Sequence, residues 1–542
     1  MRKQWPLFAA LALLWLAIAS VVGVSVRQNN GRLVYALDDP YISMSIARNL
    51  AEHGVWGVSR HEFTSASSSI LWPLLLGLCD RLGWPLDATP LILNALFASL
   101  VLGLCYLALQ DRLRKGHLFL ALFALLFVTP LPLLVVIGLE HPVHLLLTLA
   151  AAWLGSRQAA TGARPSPVLL ALVMLLVSAR YEGLFLAIVL GLLFLFRSGW
   201  PSAGLVIGAA LAPVGVFGLV SVAHGWHVLP NSLLLKGAIK PLIQDIVGHG
   251  LFSAAGFRSV AHLCGLTALQ NLLAAPAVLF LLVWAMVAWV ARRTIAARFA
   301  GPGDALLILF AGTTLIHMQL AGVGYLFRYE AYLVGLGLFV LLFSLRDLTP
   351  VLGSASAAAP VAVLAMLTML AFGHRAVATV VLAPQAMRNV YEQQFQMGLF
   401  LGKHYPGARV LAHDIGAISY LADVRITDIV GLGTREVFDM KLAGALDEGA
   451  IAAFGRAADI AVIYPGHVGS HGRVPAEWVK VGAWTIRNNV ICAEPTVDFY
   501  ATDAGRASEL ARRLREFGAE LPADIAQTGQ YTQAADRPAP GP

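Results

Sequence analysis

Two adjacent carboxylates stand in a polar segment near the start of the chain, where Asp38 and Asp39 directly precede Pro40. An acid before proline is common at a helix start, because the acid caps the first turn and proline fits its first position. One acid is enough for capping, and a second beside it repels the first. Such a pair can raise one pKa or bind a cation. Asp38 and Asp39 are therefore candidates for a helix cap and also for acid–base or cation chemistry.

Other charged side chains lie close to the ends of long apolar runs, namely Glu140, Arg180, Glu182 and Arg328. Charges at such positions are costly unless they are paired or face water. Asn231 and Lys236 lie in a polar segment between two apolar runs. As ordinary loop residues, all of these would carry no chemistry. A shared polar cavity at one face of a membrane explains them most economically.

The elements that would position these residues are membrane helices. The chain has 542 residues, of which 58% are hydrophobic and 13% charged, whereas a soluble domain has roughly 25% charged residues. Apolar runs of about 18 or more residues indicate spans. We predict about eleven of them, near residues 7–26, 88–110, 117–137, 141–157, 166–179, 183–197, 202–223, 271–291, 303–323, 329–346 and 358–380.

The orientation follows from the positive-inside rule. With the N-terminus inside, the tight basic clusters of the membrane region fall in the cytoplasm: Arg112/Arg114/Lys115, Arg157/Arg164, Arg197, Arg292/Arg293/Arg298 and Arg346. Counting 69–83 as a full span would move most of them outside, so we predict an interfacial or re-entrant helix at the short apolar piece 69–78. The net charge of +7 therefore does not indicate nucleic-acid binding. The prediction is a multi-pass protein of the bacterial inner membrane with its C-terminus outside.

The first outer loop, residues 27–87, holds the acidic pair. After Pro40, apolar residues at Ile42, Ile46 and Leu50 alternate with polar ones. This spacing predicts an amphipathic helix over 41–53 lying on the membrane surface.

The composition changes after about residue 383. Short β-rich runs at 410–413, 425–430 and 460–464 alternate with helical patterns such as 439–454. We therefore divide the chain into a membrane domain (1–383), an outer α/β domain (384–526) and a disordered polar tail (527–542). Asp414 follows a predicted strand, which favours a helix N-cap over a ligand pocket. The spacing of the four cysteines fits neither a zinc site nor a disulfide framework.

Several motifs occur in an order that resembles GT-C glycosyltransferases, most closely the terminal arabinofuranosyltransferase branch. The first-loop motif is Asp38-Asp39-Pro40-Tyr41-Ile42, then Ala47-Arg48-Asn49-Leu50-Ala51, then Thr64-Ser65 and Leu71-Trp72. The remaining motifs are Gly138-Leu139-Glu140, Arg180-Tyr181-Glu182-Gly183, Leu229-Pro230-Asn231-Ser232 with Lys236, Arg328-Tyr329, and Asp414-Ile415-Gly416-Ala417 with Asp428-Ile429-Val430-Gly431-Leu432. Tyr181 stands where that family has proline.

The resemblance implies an α-helical, polytopic GT-C-like membrane protein with a C-terminal soluble α/β domain. It also implies an inverting transferase that moves a sugar, with arabinofuranose the first candidate, from a polyprenyl-phosphate donor. The acceptor would be a glycan, lipid or protein of the cell envelope. Asp38 would be the general base, and Asp39 would orient it or hold a divalent metal ion. Arg328 and Lys236 would bind the donor phosphate, and Arg180 would either bind it as well or simply pair with Glu182. Glu140, Glu182, Asn231 and Tyr41 would contact substrate.

Alternatives remain open on the sequence alone. An oligosaccharide polymerase or ligase would usually have a large outer loop late in the membrane region, whereas the prominent polar loop here is the first. A transporter or flippase would carry charges or broken helices at mid-membrane. A receptor with a sensory α/β domain is a third possibility. His141 and His144 are three residues apart and could be metal ligands, although packing roles are commoner for such histidines.

Overall fold

The apolar runs of the sequence form helices in the computed structural model, which describes residues 4–236, 253–295, 301–345, 358–468 and 473–532. Arg298, Arg346 and the tail from residue 533 lie outside the described residues, and so does the side chain of Lys236. The helices of the membrane region are α1 (Trp5–Gln28), α2 (Asp39–His53), α3 (Leu71–Arg81), α4 (Thr89–Leu109), α5 (Lys115–Val128), α6 (Leu131–Ile137), α7 (His141–Thr161), α8 (Pro167–Ala179), α9 (Gly183–Ser198), α10 (Trp200–Ala223), α11 (Asn231–Lys236), α12 (Ala254–Ala261), α13 (Thr267–Ala274), α14 (Pro276–Ile295), α15 (Pro302–Leu320), α16 (Ala331–Phe343) and α17 (Ala358–Val390).

Each predicted span coincides with helix. By length and composition, seven helical segments of the described chain are long and apolar enough to cross a membrane, and three shorter apolar helices accompany them. Two predicted spans are interrupted. Residues 117–137 break between α5 and α6 at Thr129–Pro130, and residues 271–291 break at Ala275–Pro276. Proline explains both breaks, because it lacks the backbone N–H that would continue a helix.

The segment between α1 and α4 contains two helices, as predicted, but α2 does not lie on a surface. Its residues from Pro40 to Ala47 are all buried. One side of α2 packs on α3, and the other packs against the C-terminal domain. There Ser45 Oγ lies 2.8 Å from Ser419 Oγ, and Arg48 donates to the carbonyl of Tyr420. The polar face of α2 is therefore covered by protein instead of water, which corrects the surface-helix prediction.

The C-terminal region is an α/β domain built on one six-stranded sheet. Its strands are β1 (Arg409–Ala412), β2 (Arg425–Asp428), β3 (Ile460–Ile463), β4 (Val479–Thr485), β5 (Thr496–Ala501) and β6 (Ala526–Gly529), and its helices are α18 (Gln396–His404), α19 (Gly416–Leu421), α20 (Arg435–Ala443), α21 (Glu448–Arg456) and α22 (Ala507–Gly518). The sheet order is β2-β1-β3-β5-β4-β6. Strands β2, β1 and β3 are parallel, and the others pair antiparallel. All three predicted strands are confirmed.

Three predicted boundaries need correction. Helix α17 runs past residue 383 and continues through a π-helical turn (Tyr391–Phe395) into α18, so no break separates the membrane region from the C-terminal domain there. The pattern 439–454 forms two helices, α20 and α21, because Gly444 turns left-handed after α20. The tail is not disordered from residue 527, since β6 pairs with β4. This edge strand is short and polar, so the composition concealed it.

The parallel strands direct their carboxyl ends toward the membrane helices. The loop after β1 reaches the first outer loop, where Gly416 N donates to Asp38. The loop after β2 reaches α11, where Asn231 Nδ2 donates to the carbonyl of Gly431. Ligands in open α/β sheets bind outside the carboxyl ends of strands, so this contact surface is where a site is expected.

Candidate active site

A cavity of about 530 Å³ lies where the membrane helices meet the C-terminal domain. Five residues that the sequence singled out line it, together with one residue of the loop after β2: Asp39, Glu140, Arg180, Glu182, Arg328 and Leu432. The charged residues at the ends of the apolar runs therefore share one cavity in the described structure, whereas Asn231 is not among its lining residues. Its remaining walls are mostly apolar and include Leu184, Phe185, Leu233 and Leu320.

Asp39 and Arg328 form the first charged pair of this cavity. One Nη2–Oδ2 contact of 2.7 Å joins them. The side chain of Asp39 is 38% exposed, whereas that of Arg328 is 3% exposed. Arg328 also donates to the hydroxyl of Tyr329 at 3.1 Å, and its guanidinium lies over the rings of Tyr325 and Tyr329. Both side chains line the cavity, but the carboxylate is far more accessible than the guanidinium.

Two nitrogens of the Arg328 guanidinium donate no hydrogen bond to the described residues. Nε and Nη1 are buried and meet no hydrogen-bond partner among the described residues. Leaving a donor of a charged group buried and unpaired costs more than about 1–3 kcal/mol. An anion in the cavity would remove that cost, and a phosphate matches the fork of an arginine.

The backbone before Arg328 takes an uncommon conformation. Gly324, Tyr325, Leu326 and Phe327 have φ values of 86°, 49°, 59° and 60°. Left-handed backbone costs a non-glycine residue roughly 1–2 kcal/mol, so three such residues in succession form a strained turn. Strain of this kind persists only where the surroundings enforce it, and it is concentrated at functional sites.

Arg180 forms a second charged group on the opposite wall. Its Nη1 contacts Glu140 Oε1 at 2.6 Å, and its Nη2 and Nε contact both oxygens of Glu182 at 2.6 and 3.2 Å. Glu140 and Glu182 directly precede α7 and α9, and Arg180 directly follows α8. Three helix ends are thereby joined. Two carboxylates against one guanidinium leave one net negative charge, so Arg180 is poorly suited to bind phosphate.

Asp38 does not line the cavity, and its role as the base stays a prediction. Its two carboxylate oxygens accept the backbone N–H groups of Gly416 and Ala417, each at 2.7 Å. At Gly416, an added Cβ would lie 2.1 Å from the carbonyl oxygen of Asp38. Asp38 therefore joins the first outer loop to the start of α19, and its own helix receives no side-chain cap from it. Asp39 is the member of the acidic pair that lines the cavity.

Asp38 and Asp414 share a second, small cavity of about 50 Å³ with Asp39 and Cys492. Burial raises the pKa of Asp38, and the charge of Asp414 raises it further. Burial likewise raises the pKa of Asp414. The predicted N-cap role of Asp414 is wrong, because its carboxylate accepts the Tyr464 hydroxyl at 2.6 Å and Gln394 Nε2 at 2.8 Å.

The remaining predicted site residues are Tyr41, Asn231 and Lys236. Tyr41 is buried, packs against the rings of Tyr35, Phe395 and Tyr420, and accepts the backbone N–H of Tyr35, so it supports the loop and does not reach the cavity. Asn231 bridges Ser65 and Gly431 outside the cavity lining. Its successor Ser232 lines the cavity. Lys236 ends α11, and its side chain is not described.

Asp428, which the sequence analysis named only as part of a motif and gave no role, holds the cavity wall. Asp428 ends β2, and its carboxylate accepts the backbone N–H groups of Val430, Leu432 and Gly433 at 2.6 to 2.8 Å. This places Leu432 in the cavity. Burial raises the pKa of Asp428 to about 6. The signal was available, since an acid at the end of a strand before Gly431 is typical of a turn that the side chain organises.

Metal binding finds limited support. Among the described residues, no group of three or more His, Cys, Asp or Glu side chains is arranged to hold a metal ion. His144 packs against Tyr332, as a core histidine does. All four cysteines are free, so Cys264 and Cys492 form no disulfide.

Comparison with known proteins shows which fold this chain has. A family model described as a domain of unknown function (DUF8728) matches residues 385–500. No curated protein sequence is significantly similar to the chain. The oligosaccharyltransferase of Archaeoglobus fulgidus, in a complex with zinc and sulfate, matches with a TM-score of 0.51 and 11% identity, over 95% of this chain and 74% of that one. The chain has the GT-C fold.

Two other solved structures are also similar. ArnT from Cupriavidus metallidurans, bound to undecaprenyl phosphate, is 12% identical with a TM-score of 0.47, over 91% of this chain and 98% of that one. The arabinofuranosyltransferase AftD from Mycobacteria is 15% identical with a TM-score of 0.40, over 91% of this chain and 42% of that one. Within the GT-C fold of this chain, the cavity lies between the first outer loop, the membrane helices and the C-terminal domain.

Proposed function

We propose that the chain is a membrane glycosyltransferase that moves a sugar from a polyprenyl-phosphate donor to a cell-envelope acceptor on the outer face of a bacterial inner membrane. The observation that carries this proposal is the pair formed by Asp39 and Arg328. A carboxylate open to the cavity stands 2.7 Å from a buried guanidinium, and Nε and Nη1 of that guanidinium meet no partner among the described residues. A base and an anion site beside each other suit the transfer of a phosphate-linked group.

The cavity has room and surfaces for such a donor. The phosphate would accept hydrogen bonds from Nε and Nη1 of Arg328. The apolar wall of Leu184, Phe185, Leu233 and Leu320 would take the first isoprene units, since apolar surface removed from water stabilises by about 25 cal/mol per Å². The sugar would then lie toward Glu140 and Glu182, whose carboxylates accept hydrogen bonds from hydroxyl groups.

The reaction follows from this placement. Asp39 takes the proton of an acceptor hydroxyl while the hydroxyl oxygen attacks the anomeric carbon of the donor sugar. The bond between that carbon and the phosphate oxygen breaks, and the polyprenyl phosphate leaves while Arg328 stabilises its negative charge. One direct displacement inverts the anomeric centre. The net negative charge of Glu140, Arg180 and Glu182 stabilises positive charge on the sugar ring as the bond breaks.

The base is therefore reassigned from Asp38 to Asp39, because Asp38 is held by the backbone of Gly416 and Ala417. A divalent ion would need ligands beyond Asp39, and the described residues offer no such group.

Transfer of labelled sugar in membranes tests the proposal. A panel of polyprenyl-phosphate sugars, beginning with arabinofuranose, and several acceptors would be offered to wild type, Asp39→Asn, Asp38→Asn and Asp423→Asn at matched protein levels. Asp423 is an exposed acid paired with Arg60, and its variant should retain activity. Asp39→Asn should lower the rate by roughly 10²-fold or more, as loss of general base catalysis predicts. Full activity of Asp39→Asn with loss in Asp38→Asn would return the base role to Asp38. No transfer from any donor to any acceptor would contradict the proposal.

A further inference from the structure

A buried ion pair between Glu330 and Arg375 holds the left-handed turn at residues 324–327. Glu330 Oε2 accepts the backbone N–H of Gly324 at 2.8 Å, at the start of the turn. Glu330 Oε1 contacts Arg375 Nη1 at 2.6 Å, and both side chains are nearly inaccessible, with exposures of 2% and 4%. Neither residue lines the cavity.

Arg375 also holds the other end of the turn. Its Nη2 donates to the carbonyl of Phe327 at 2.8 Å, and its Nε donates to the carbonyl of Val128 at the end of α5. The Phe327 ring lies against the same guanidinium. Phe327 is the residue directly before Arg328, so Arg375 fixes the backbone from which the Arg328 side chain starts.

Arg375 lies within an apolar helix, where a charged residue is costly unless it serves a purpose. If Arg375 served only to join its own helix to α5, its contact with Val128 would be sufficient. The contacts to both ends of a strained turn go beyond that role, because three successive non-glycine residues hold left-handed backbone only under constraint.

We infer that Glu330 and Arg375 are positioning residues that hold the 324–327 turn and thereby direct Arg328 toward the donor phosphate. This inference rests on the proposed function and names two residues that act on its phosphate site through Arg328. Neither residue touches the donor. Their role is to keep Nε and Nη1 of Arg328 in place before the donor arrives, so that binding requires no reordering of the turn.

A double-mutant cycle on the purified full chain in detergent tests the inference, with undecaprenyl monophosphate as the probe and its Kd as the readout. The variants are Arg328→Gln, the pair Glu330→Gln with Arg375→Gln, and their combination. Changing both members of the ion pair leaves no buried charge alone. Arg375→Lys is a milder variant, since its single nitrogen cannot serve all three acceptors. A matched control is Arg292→Gln with Asp304→Asn, an ion pair at the opposite end of α15 whose side chains are 18% and 3% exposed.

Arg328→Gln should weaken the Kd by about 10- to 100-fold, as expected for lost charge-assisted hydrogen bonds. The Glu330/Arg375 change should weaken it roughly five- to tenfold in wild type and less than about twofold in the Arg328→Gln background. Arg375→Lys should show a smaller loss in the same pattern. The control pair should leave the Kd unchanged even where it lowers the melting temperature.

Equal losses in both backgrounds, or an equal loss in the control, would overturn the inference and leave the phosphate role of Arg328 intact. An unchanged Kd for Arg328→Gln alone would instead remove the phosphate assignment of the proposed function, and the inference with it.

Discussion

The two arginines of the cavity are both buried, but they have different partners. Arg180 and Arg328 are 7% and 3% exposed. Arg180 makes three contacts with two carboxylates, whereas Arg328 makes one contact with a carboxylate and keeps two nitrogens without a partner among the described residues. The carboxylates around Arg180 are enclosed, while Asp39 is open to the cavity.

This difference gives Arg180 a structural role and Arg328 a role in binding. The Arg180 group is complete, so its contribution is to join the ends of α7, α8 and α9 and to set the charge of one wall. The Arg328 group is incomplete, so it gains from an incoming anion. Sequence alone treats the two as similar, since each arginine follows an apolar run and has an acid nearby.

The largest expected effect is on stability, from Arg180→Gln. Removing the guanidinium leaves Glu140 and Glu182 buried without a counter-charge, which costs about 3–5 kcal/mol. The measurement is the unfolding of the purified chain in detergent by heat. Glu182→Gln keeps the contact between Arg180 and Glu140 and should cost less. If Arg180→Gln were as stable as wild type but no longer bound the donor, Arg180 and not Arg328 would be the arginine that binds the phosphate.

A smaller effect should follow Arg328→Lys. Lysine keeps the charge as a point but loses the planar fork that reaches two phosphate oxygens. We expect about a tenfold loss of donor affinity, or roughly 1.4 kcal/mol, with little change in melting temperature. Arg180→Lys is the matched control and should affect melting temperature more than affinity. The opposite pattern would contradict the comparison.

The cavity wall contributed by the C-terminal domain should respond to Asp428→Asn. The amide has one acceptor oxygen, so some of the three backbone N–H groups held by Asp428 lose their partner, at about 1–2 kcal/mol. Hydrogen exchange should become faster over residues 430–433. Asp447→Asn is the control, because Asp447 caps α21 by accepting only the N–H of Ala450. Unchanged exchange in Asp428→Asn would show that the loop needs no such anchor.

The smallest effect is a pH dependence at the contact of Asp38 and Asp414. Both pKa values are raised in the folded chain, first by burial. The folded state therefore binds these protons more tightly than the unfolded state, whose aspartates titrate near about 3.9. The stability that they contribute is present below that pH and is lost as the pH rises through the raised pKa values. The melting temperature should fall as the pH rises above about 4, and Asp414→Asn should flatten this slope. A slope that Asp414→Asn leaves unchanged would contradict the assignment.

The fold was largely predictable because membrane helices follow from apolar length. The breaks at Pro130 and Pro276 also have a sequence signal, although the long apolar runs obscured it. The burial of α2 could not be predicted, since its polar face at Ser45 and Arg48 suits water as well as it suits the C-terminal domain.

The site was predictable in its members but not in their pairing. Five chemically distinctive residues do line one cavity. Which acid of the Asp38–Asp39 pair faces it depends on how the loop after β1 meets the first outer loop, and this is a contact between residues nearly 380 positions apart. Arg375 carried a signal, as a charge inside the predicted span 358–380, but its partner Glu330 could not be identified without the turn.

Electron cryomicroscopy of the full chain in lipid nanodiscs with undecaprenyl monophosphate would show where the donor phosphate binds. We expect phosphate density within hydrogen-bond distance of Nε and Nη1 of Arg328, beside Asp39, with the first isoprene units along Leu184 and Leu233. Phosphate bound at Arg180, or outside the cavity with both nitrogens of Arg328 still unpaired, would contradict this expectation.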